Sequence, residues 1–258
     1  MRLFFLASLS FLLFACQTKQ DQSSADQEAS TDEAPSHHMD FLTQVFEAHG
    51  GYERWSQMKS LSYRKGEEVT VTNLENRKIR VEDGERVIGF DGSTVWVSPD
   101  SADASRARFY HNLYFYFYAM PFVVGDPGAY YEELPTRKIK EKTYKGIKVS
   151  YEEGVGDASD DNYVLWVDPE SNRMEWLMYT VTYRSGEPND NYRLIHYKEW
   201  GSFNELRLPT QIQWYHFDGD SIGSERGDPV MFTEIVIGDS YPADSLFSMP
   251  EGAIVAPR

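Results

Sequence analysis

The chain has 258 residues, with 41 acidic side chains against 25 basic ones and a formal net charge of −16. Its lysines and arginines are dispersed without a basic stripe, so nucleic acid and anionic membrane faces should repel it. A single cysteine excludes a disulfide framework and a cysteine-rich zinc site, and stability must therefore come from packing.

Arg2 precedes a greasy run over residues 3–15, too short to span a bilayer and suited to a signal peptide. The run ends Leu13-Phe14-Ala15-Cys16, which resembles the lipobox of bacterial lipoproteins. In that motif the cysteine after a small residue is lipidated and becomes the new N-terminus. Phe14 departs from the small or β-branched residue usual at its position. An ordinary signal peptide cleaved near Ala15 is the alternative, but it would leave an unpaired thiol in an oxidising compartment, a liability that a thioether removes. Residues 16–39 then read as a lipidated, disordered acidic tether, because they are rich in Gln, Ser, Asp, Glu and Ala and carry almost no large apolar side chain. As a flexible coil such a leash spans about 25–30 Å. His37 and His38 at its end read as linker residues.

Residues 40–258 hold no Pro/Gly/Ser-rich break and no repeat, and are expected to form a single domain. Asp40 is a candidate N-cap for a helix carrying Phe41, Leu42, Val45 and Phe46, with Gly50-Gly51 at its end. A short helix over residues 52–58 follows. The chain then turns β-rich: Val69 and Val71, Tyr163 to Val167, Leu177 to Tyr183, Ile212 to His216 and Met231 to Ile237 alternate with period two. Asp91-Gly92, Asp168-Pro169, Ser185-Gly186 and Asp218-Gly219 supply turns, and about ten antiparallel strands result. Trp176 and Met178 oppose the Leu177–Tyr183 set, so that sheet is apolar on both faces and its second face needs a cover. Residues 106–122, aromatic or aliphatic at nearly every position, are the obvious cover. Their length suits a helix that starts near Asp103 or Ser105 and stops before Pro121, although alternating Tyr and Phe also suit a strand.

Enzyme signatures are mostly missing: no Gly-x-Ser-x-Gly elbow, phosphate loop or His-Glu-x-x-His occurs. Gly154-Val155-Gly156 reads as a turn. The remaining histidines, His49, His111, His196 and His216, are scattered, and His111 inside the aromatic run must find a partner if it is buried. The carboxylate pairs Glu67-Glu68, Glu132-Glu133 and Glu152-Glu153 would point to opposite faces of a strand. Asp157, Asp160 and Asp161 lack the spacing of a calcium loop and read as a solvated turn. No catalytic residue, metal or cofactor is therefore expected. The aromatic segment remains, and filling a core and lining a pocket both fit it. Its tyrosine hydroxyls need partners when buried, and rings with polar tips suit a pocket for an amphiphile. The candidate ligand-binding residues are Phe109, Tyr110, Leu113, Tyr114, Tyr116 and Phe117, with Trp176 and Trp214 from the strands.

The lipobox, the N-terminal helix and the internal aromatic helix beside a curved sheet together resemble the LolA/LolB-like superfamily of lipoprotein-sorting proteins. A closer likeness is to an uncharacterised family of Gram-negative envelope lipoproteins. It rests on Ala48-His49-Gly50-Gly51, His111-Asn112-Leu113, Ala119-Met120-Pro121-Phe122, Gly156-Asp157 with Asp160-Asp161, and Tyr179-Thr180-Val181-Thr182-Tyr183, then on Leu208-Pro209 and Leu246-Phe247. The resemblance implies a mainly β fold with a few helices, a curved antiparallel sheet forming an incomplete, half-open β-barrel covered by helices. It also implies an envelope lipoprotein of the outer membrane, and Gln17 is not the aspartate associated with inner-membrane retention. The reading is a monomer held to the membrane by lipid, non-catalytic, binding a lipid or other hydrophobic small molecule in the half-barrel. The alternatives are an enzyme using dispersed His and carboxylates in the same cleft and a non-ligand-binding interaction module of an envelope complex.

Two or more acyl chains give stable anchoring where one does not. Cys16→Ser is accordingly expected to move the protein into the soluble envelope fraction and to abolish labelling by a fatty-acid probe. Continued membrane association with labelling would refute the lipobox reading.

Overall fold

Leu42, Val45 and Phe46 recur at three- and four-residue spacing and are buried along one side of helix α1, Ser36–Ala48, with His49 buried just beyond its end. The computed structural model describes residues 36–152, 160–183 and 187–257, all within one unit, Ala34–Arg258. Cys16, most of the expected tether, Gly154-Val155-Gly156, Asp157 and Ser185-Gly186 lie outside the described residues. The helix begins four residues before Asp40, so Asp40 sits inside it rather than capping it, and residues 36–39 belong to the helix rather than the tether. Gly50-Gly51 ends it as expected: the Gly51 amide donates to the Phe46 carbonyl at 2.8 Å, and both glycines have positive φ. A Cβ on Gly50 would lie 2.4 Å from the Glu205 carbonyl oxygen. The helix end thus reaches the neighbouring hairpin closely enough for the Arg207 amide to donate to the His49 carbonyl at 2.8 Å.

Helix α2, Tyr52–Gln57, follows, and then five strands: β1 Ser60–Lys65, β2 Glu68–Asn73, β3 Ile79–Glu82, β4 Val87–Phe90 and β5 Val95–Ser98. The aromatic segment is helical in two pieces, α3 Ala107–Tyr110 and α4 Leu113–Val123. Seven strands come next: β6 Ala129–Ile139, β7 Lys142–Tyr151, β8 Tyr163–Val167, β9 Met174–Tyr179, β10 Arg193–Phe203, β11 Leu206–Phe217 and β12 Ile222–Glu225. The short β13 Val230–Met231, β14 Thr233–Gly238 and β15 Ile254–Val255 complete the described strands. Asp91-Gly92, Asp168-Pro169 and Asp218-Gly219 turn the chain between strands as expected, whereas the ladder of β9 stops at Tyr179, before Val181 and Tyr183.

The strands form two antiparallel sheets, the incomplete, helix-covered barrel that the sequence led us to expect. The first runs β14-β1-β2-β3-β4-β5-β15, and the second runs β12-β11-β10-β9-β8-β7-β6, with β13 also on β11. Neither closes on itself, and the helices fill the gap, which makes the fold an incomplete barrel. α4 is apolar around its whole circumference, so it is stable only where both sides are covered. Tyr118 stacks on Tyr63 of β1 at 4.6 Å, and Phe122 stacks on Trp55 of α2 at 4.7 Å. On its other side Phe117 meets Tyr179 of β9 at 4.8 Å and Trp214 of β11 at 5.6 Å.

Pro121 lies inside α4 and not beyond its end. It has no N–H to give to the carbonyl four residues back, that of Phe117. The Tyr197 hydroxyl of β10 donates to that carbonyl instead, at 2.6 Å. Tyr131 of β6 and Tyr151 of β7 likewise donate to the Val124 and Val123 carbonyls, at 2.7 and 3.4 Å, where the helix runs out of its own donors.

The second sheet is apolar on both faces, but α4 covers only one of them. The Trp176 face has its own small core of Ile139, Tyr144, Val164, Trp166, Trp176, Met178, Leu194 and Tyr215. β6 shifts register between Leu134 and Arg137, and Arg137 reaches the β11–β12 turn, donating to the Gly219 and Asp220 carbonyls at 2.8 and 3.0 Å. Arg137 stands over the Phe217 ring at 5.3 Å and Lys140 over the Tyr215 ring at 4.4 Å, so two cations with aliphatic stems lid this core.

Tyr197→Phe should leave the buried Phe117 carbonyl without a donor and lower stability by about 1–3 kcal/mol in urea denaturation. A loss under about 0.5 kcal/mol would show that the hydroxyl does not stand in for the missing proline donor.

Candidate functional site

The residues Leu113, Tyr116, Phe117, Met120 and Val123 form one stripe of α4, and this stripe walls a cavity of about 180 Å³. Arg108, Phe109 and Asn112 precede it, and Asp126 and Pro127 follow it. The opposite wall comes from one end of the second sheet: Tyr151 finishes β7, Tyr163 starts β8 and Tyr179 finishes β9, with Asp161, Val181 and Tyr183 just beyond the strands. Adjacent antiparallel strands bring these ends together, which is why tyrosines far apart in sequence converge.

Of the sequence-derived candidates, Phe109, Leu113, Tyr116 and Phe117 line this cavity. Trp214 stands one layer behind, donating from Nε1 to the Tyr179 hydroxyl oxygen at 2.9 Å. Tyr110 and Tyr114 turn instead toward the hairpin of β1 and β2. The Tyr110 hydroxyl donates to the Glu68 carboxylate at 2.6 Å, and the Lys65 ammonium, paired with Glu68 at 2.5 Å, sits 4.3 Å from the Tyr114 ring centre. Trp176 is the correction among them. It is an even-register neighbour of Leu177, so its side chain points to the far face of the sheet, where it stacks on His196 at 4.0 Å.

Sequence reasoning missed the strand-end wall. Tyr163, Tyr179 and Tyr183 were legible as strand residues, and their shared polar-tipped chemistry was the available signal. Asp161 was read as part of a solvated turn, but only 8% of it is exposed. One of its oxygens accepts from the Thr182 amide at 2.6 Å and from the Thr182 hydroxyl at 2.8 Å. Burial pushes its pKa up, against the opposing pull of those hydrogen bonds. Asp126 is also pushed up by burial, opposed by Arg77, whose guanidinium pairs with it at 2.7 Å. Tyr163 is raised well above the ordinary phenol value, first by burial and then by the Asp161 charge, so it stays protonated as a donor.

No histidine lines the cavity among the described residues. His111 is buried on α3's end with Nδ1 2.6 Å from the Arg108 carbonyl oxygen, and His216 is exposed on β11. His49 is fully buried, its Nδ1 2.7 Å from the Val45 carbonyl oxygen. Among the described residues no three His, Cys, Asp or Glu side chains gather to hold a metal, and no helix is long and apolar enough to cross a membrane.

An incomplete antiparallel barrel enclosing a helix, with a small aromatic cavity between them, is thus the class that fold and site define. The chain belongs to the family of unknown function DUF6503, whose pattern matches residues 86–219. Curated proteins give no match. Among solved structures the chain is similar to a LolA superfamily protein from Nitrosomonas europaea, at 14% identity, over 82% of this chain and 97% of that one, with a TM-score of 0.44. It is also similar to a DUF1329 family protein from Desulfovibrio piger, at 9% identity over 82% and 97% of the two chains, TM-score 0.46. A third similarity is to a putative outer membrane lipoprotein-sorting protein domain from Vibrio parahaemolyticus, at 6% identity over 80% and 97%, TM-score 0.40.

Burial lowers the pKa of both His49 and His196 from the usual 6.5 to about 4. The unfolded chain takes up these protons first, so the contribution is fully present above pH 6.5 and is lost as pH falls toward 4. For His49 the loss approaches about 3 kcal/mol. The raised carboxyls Asp126 and Asp161 act in the opposite sense, favouring the fold as pH falls. Urea denaturation at pH 7 and pH 4.5 should show a fall in parent stability that is smaller in His196→Phe. An equal fall in both would contradict the burial of a neutral imidazole at that position.

Proposed function

We propose that this protein binds a small hydrophobic or amphipathic molecule in the cavity between α4 and the ends of β7, β8 and β9, and does no chemistry on it. The carrying observation is the wall itself: an apolar stripe of α4 faces a ring of tyrosines, giving apolar bulk with a few polar tips. A volume of about 180 Å³ matches one aromatic ring or a short alkyl segment, since an engineered void of about 150 Å³ takes up benzene. A longer amphiphile would bury only one end there. Anchoring through a lipidated Cys16 would place this site in the cell envelope, at the outer membrane, with the leash setting its reach.

Val181 lies on the wall opposite α4. Val181→Phe should fill the space and abolish binding of propylbenzene measured by calorimetry, with the melting temperature held within a few degrees of the parent. Parent protein that takes up no propylbenzene, or a variant that binds it equally well, would refute the cavity as the binding site. Native mass spectrometry of the protein isolated from an envelope fraction then identifies the resident ligand.

A further inference from the structure

The cavity is not a neutral apolar box. Asp161 sits on its wall more than nine-tenths buried, and both hydrogen bonds that it receives, from the Thr182 amide and hydroxyl, go to the same carboxylate oxygen. The other oxygen receives none from the described residues. The rings of Tyr116, Tyr163, Tyr179 and Phe117 line the same cavity, and the face of such a ring carries the negative lobe of its quadrupole. Asp126, the other carboxylate on the wall, is already neutralised by Arg77. Arg108 also lines the space, and of the outside charges acting on Asp161, Asp160 makes the site more negative while Arg193 partly offsets it.

Resting on the proposed binding function, we infer that the ligand is an amine: an organic ammonium whose charged head meets the unbonded oxygen of Asp161 and whose apolar body lies among the tyrosine rings. A primary ammonium can donate to that carboxylate and present its remaining charge to the ring faces, while a tertiary or quaternary one uses the faces alone. A carboxylate or phosphate head would find Arg108 on the wall, but it would also meet the Asp161 carboxylate, which repels it. Burial of Asp161 raises its pKa in the empty site, and a bound cation would restore the charge that burial disfavours. The excess of acidic groups over the whole chain draws cations toward it in the same sense.

Three ligands of matched shape test this at pH 8: 2-phenylethylammonium, its neutral isostere propylbenzene and the anion 3-phenylpropanoate. Calorimetry on the parent should rank the ammonium at least tenfold tighter than propylbenzene, with the anion weakest. Asp161→Asn keeps an oxygen to accept from Thr182 and should erase the ammonium's advantage over propylbenzene. Equal binding of ammonium and isostere overturns the amine inference and leaves the hydrophobic site standing. Tighter binding of the anion, or an ammonium preference that survives Asp161→Asn, also overturns it. Binding of none of the three sinks both this inference and the cavity reading. Should Asp161→Asn fail to fold, Tyr179→Leu, which removes a ring face, is expected to lower ammonium affinity more than propylbenzene affinity, and equal losses refute the cage.

Discussion

Everything in this structure is arranged around one helix that has no polar side. α4 is apolar at every position its neighbours can reach, so it cannot lie on a sheet with its back to water. It has to be enclosed. Enclosure removes water as a hydrogen-bonding partner, and Pro121 has already removed one donor from within. The sheet supplies what is lost: the Tyr197, Tyr151 and Tyr131 hydroxyls reach the Phe117, Val123 and Val124 carbonyls. These rings are both packing bulk and struts. They fix how far the helix stands from the second sheet, and the barrel stays open because a helix occupies the space that closure would need.

The cavity follows from the same arrangement. Where β10 and β6 hold the helix by tyrosine struts, contact is direct. Beside them, at the ends of β7, β8 and β9, the helix stripe from Leu113 to Val123 touches the sheet only at points such as Phe117 on Tyr179 and leaves a space between. A dry void of about 180 Å³ would cost up to about 4 kcal/mol at roughly 24 cal/mol per Å³. The polar tips on the wall would lower that cost by holding water.

How much of this was legible in the sequence depended on whether a residue's role was local. Helix α1 and its glycine end were readable because Leu42, Val45 and Phe46 repeat within one turn and Gly50-Gly51 follow at once. The strands were readable from period-two alternation, and the aromatic segment was recognisable as the centre of interest. What failed was non-local. Pro121 reads as the stop signal that it usually is, since nothing near it in sequence says that a hydroxyl from residue 197 will replace its amide. Trp176 and Trp214 look alike in sequence, and only strand register separates them: Trp214 shares its face with Ile212, against the helix, whereas Trp176 shares one with Met178, against the second core. The division into two sheets depends on β14 returning to β1 from the far end of the chain, a pairing no local pattern encodes.

Asp161 shows why sites are harder to read than folds. In sequence it is the second of two aspartates in a polar loop, the composition of a solvated turn. Its burial comes from Thr182, across the β8–β9 pair, whose amide and hydroxyl both turn to it. A carboxylate placed in a tyrosine-lined space at the cost of its own solvation is poorly explained by stability alone, because an asparagine there could accept the same two hydrogen bonds without a charge to bury. The charge is the part of that side chain that the fold does not need. The ammonium inferred above would turn that penalty into affinity, because its charge would meet the one that burial disfavours.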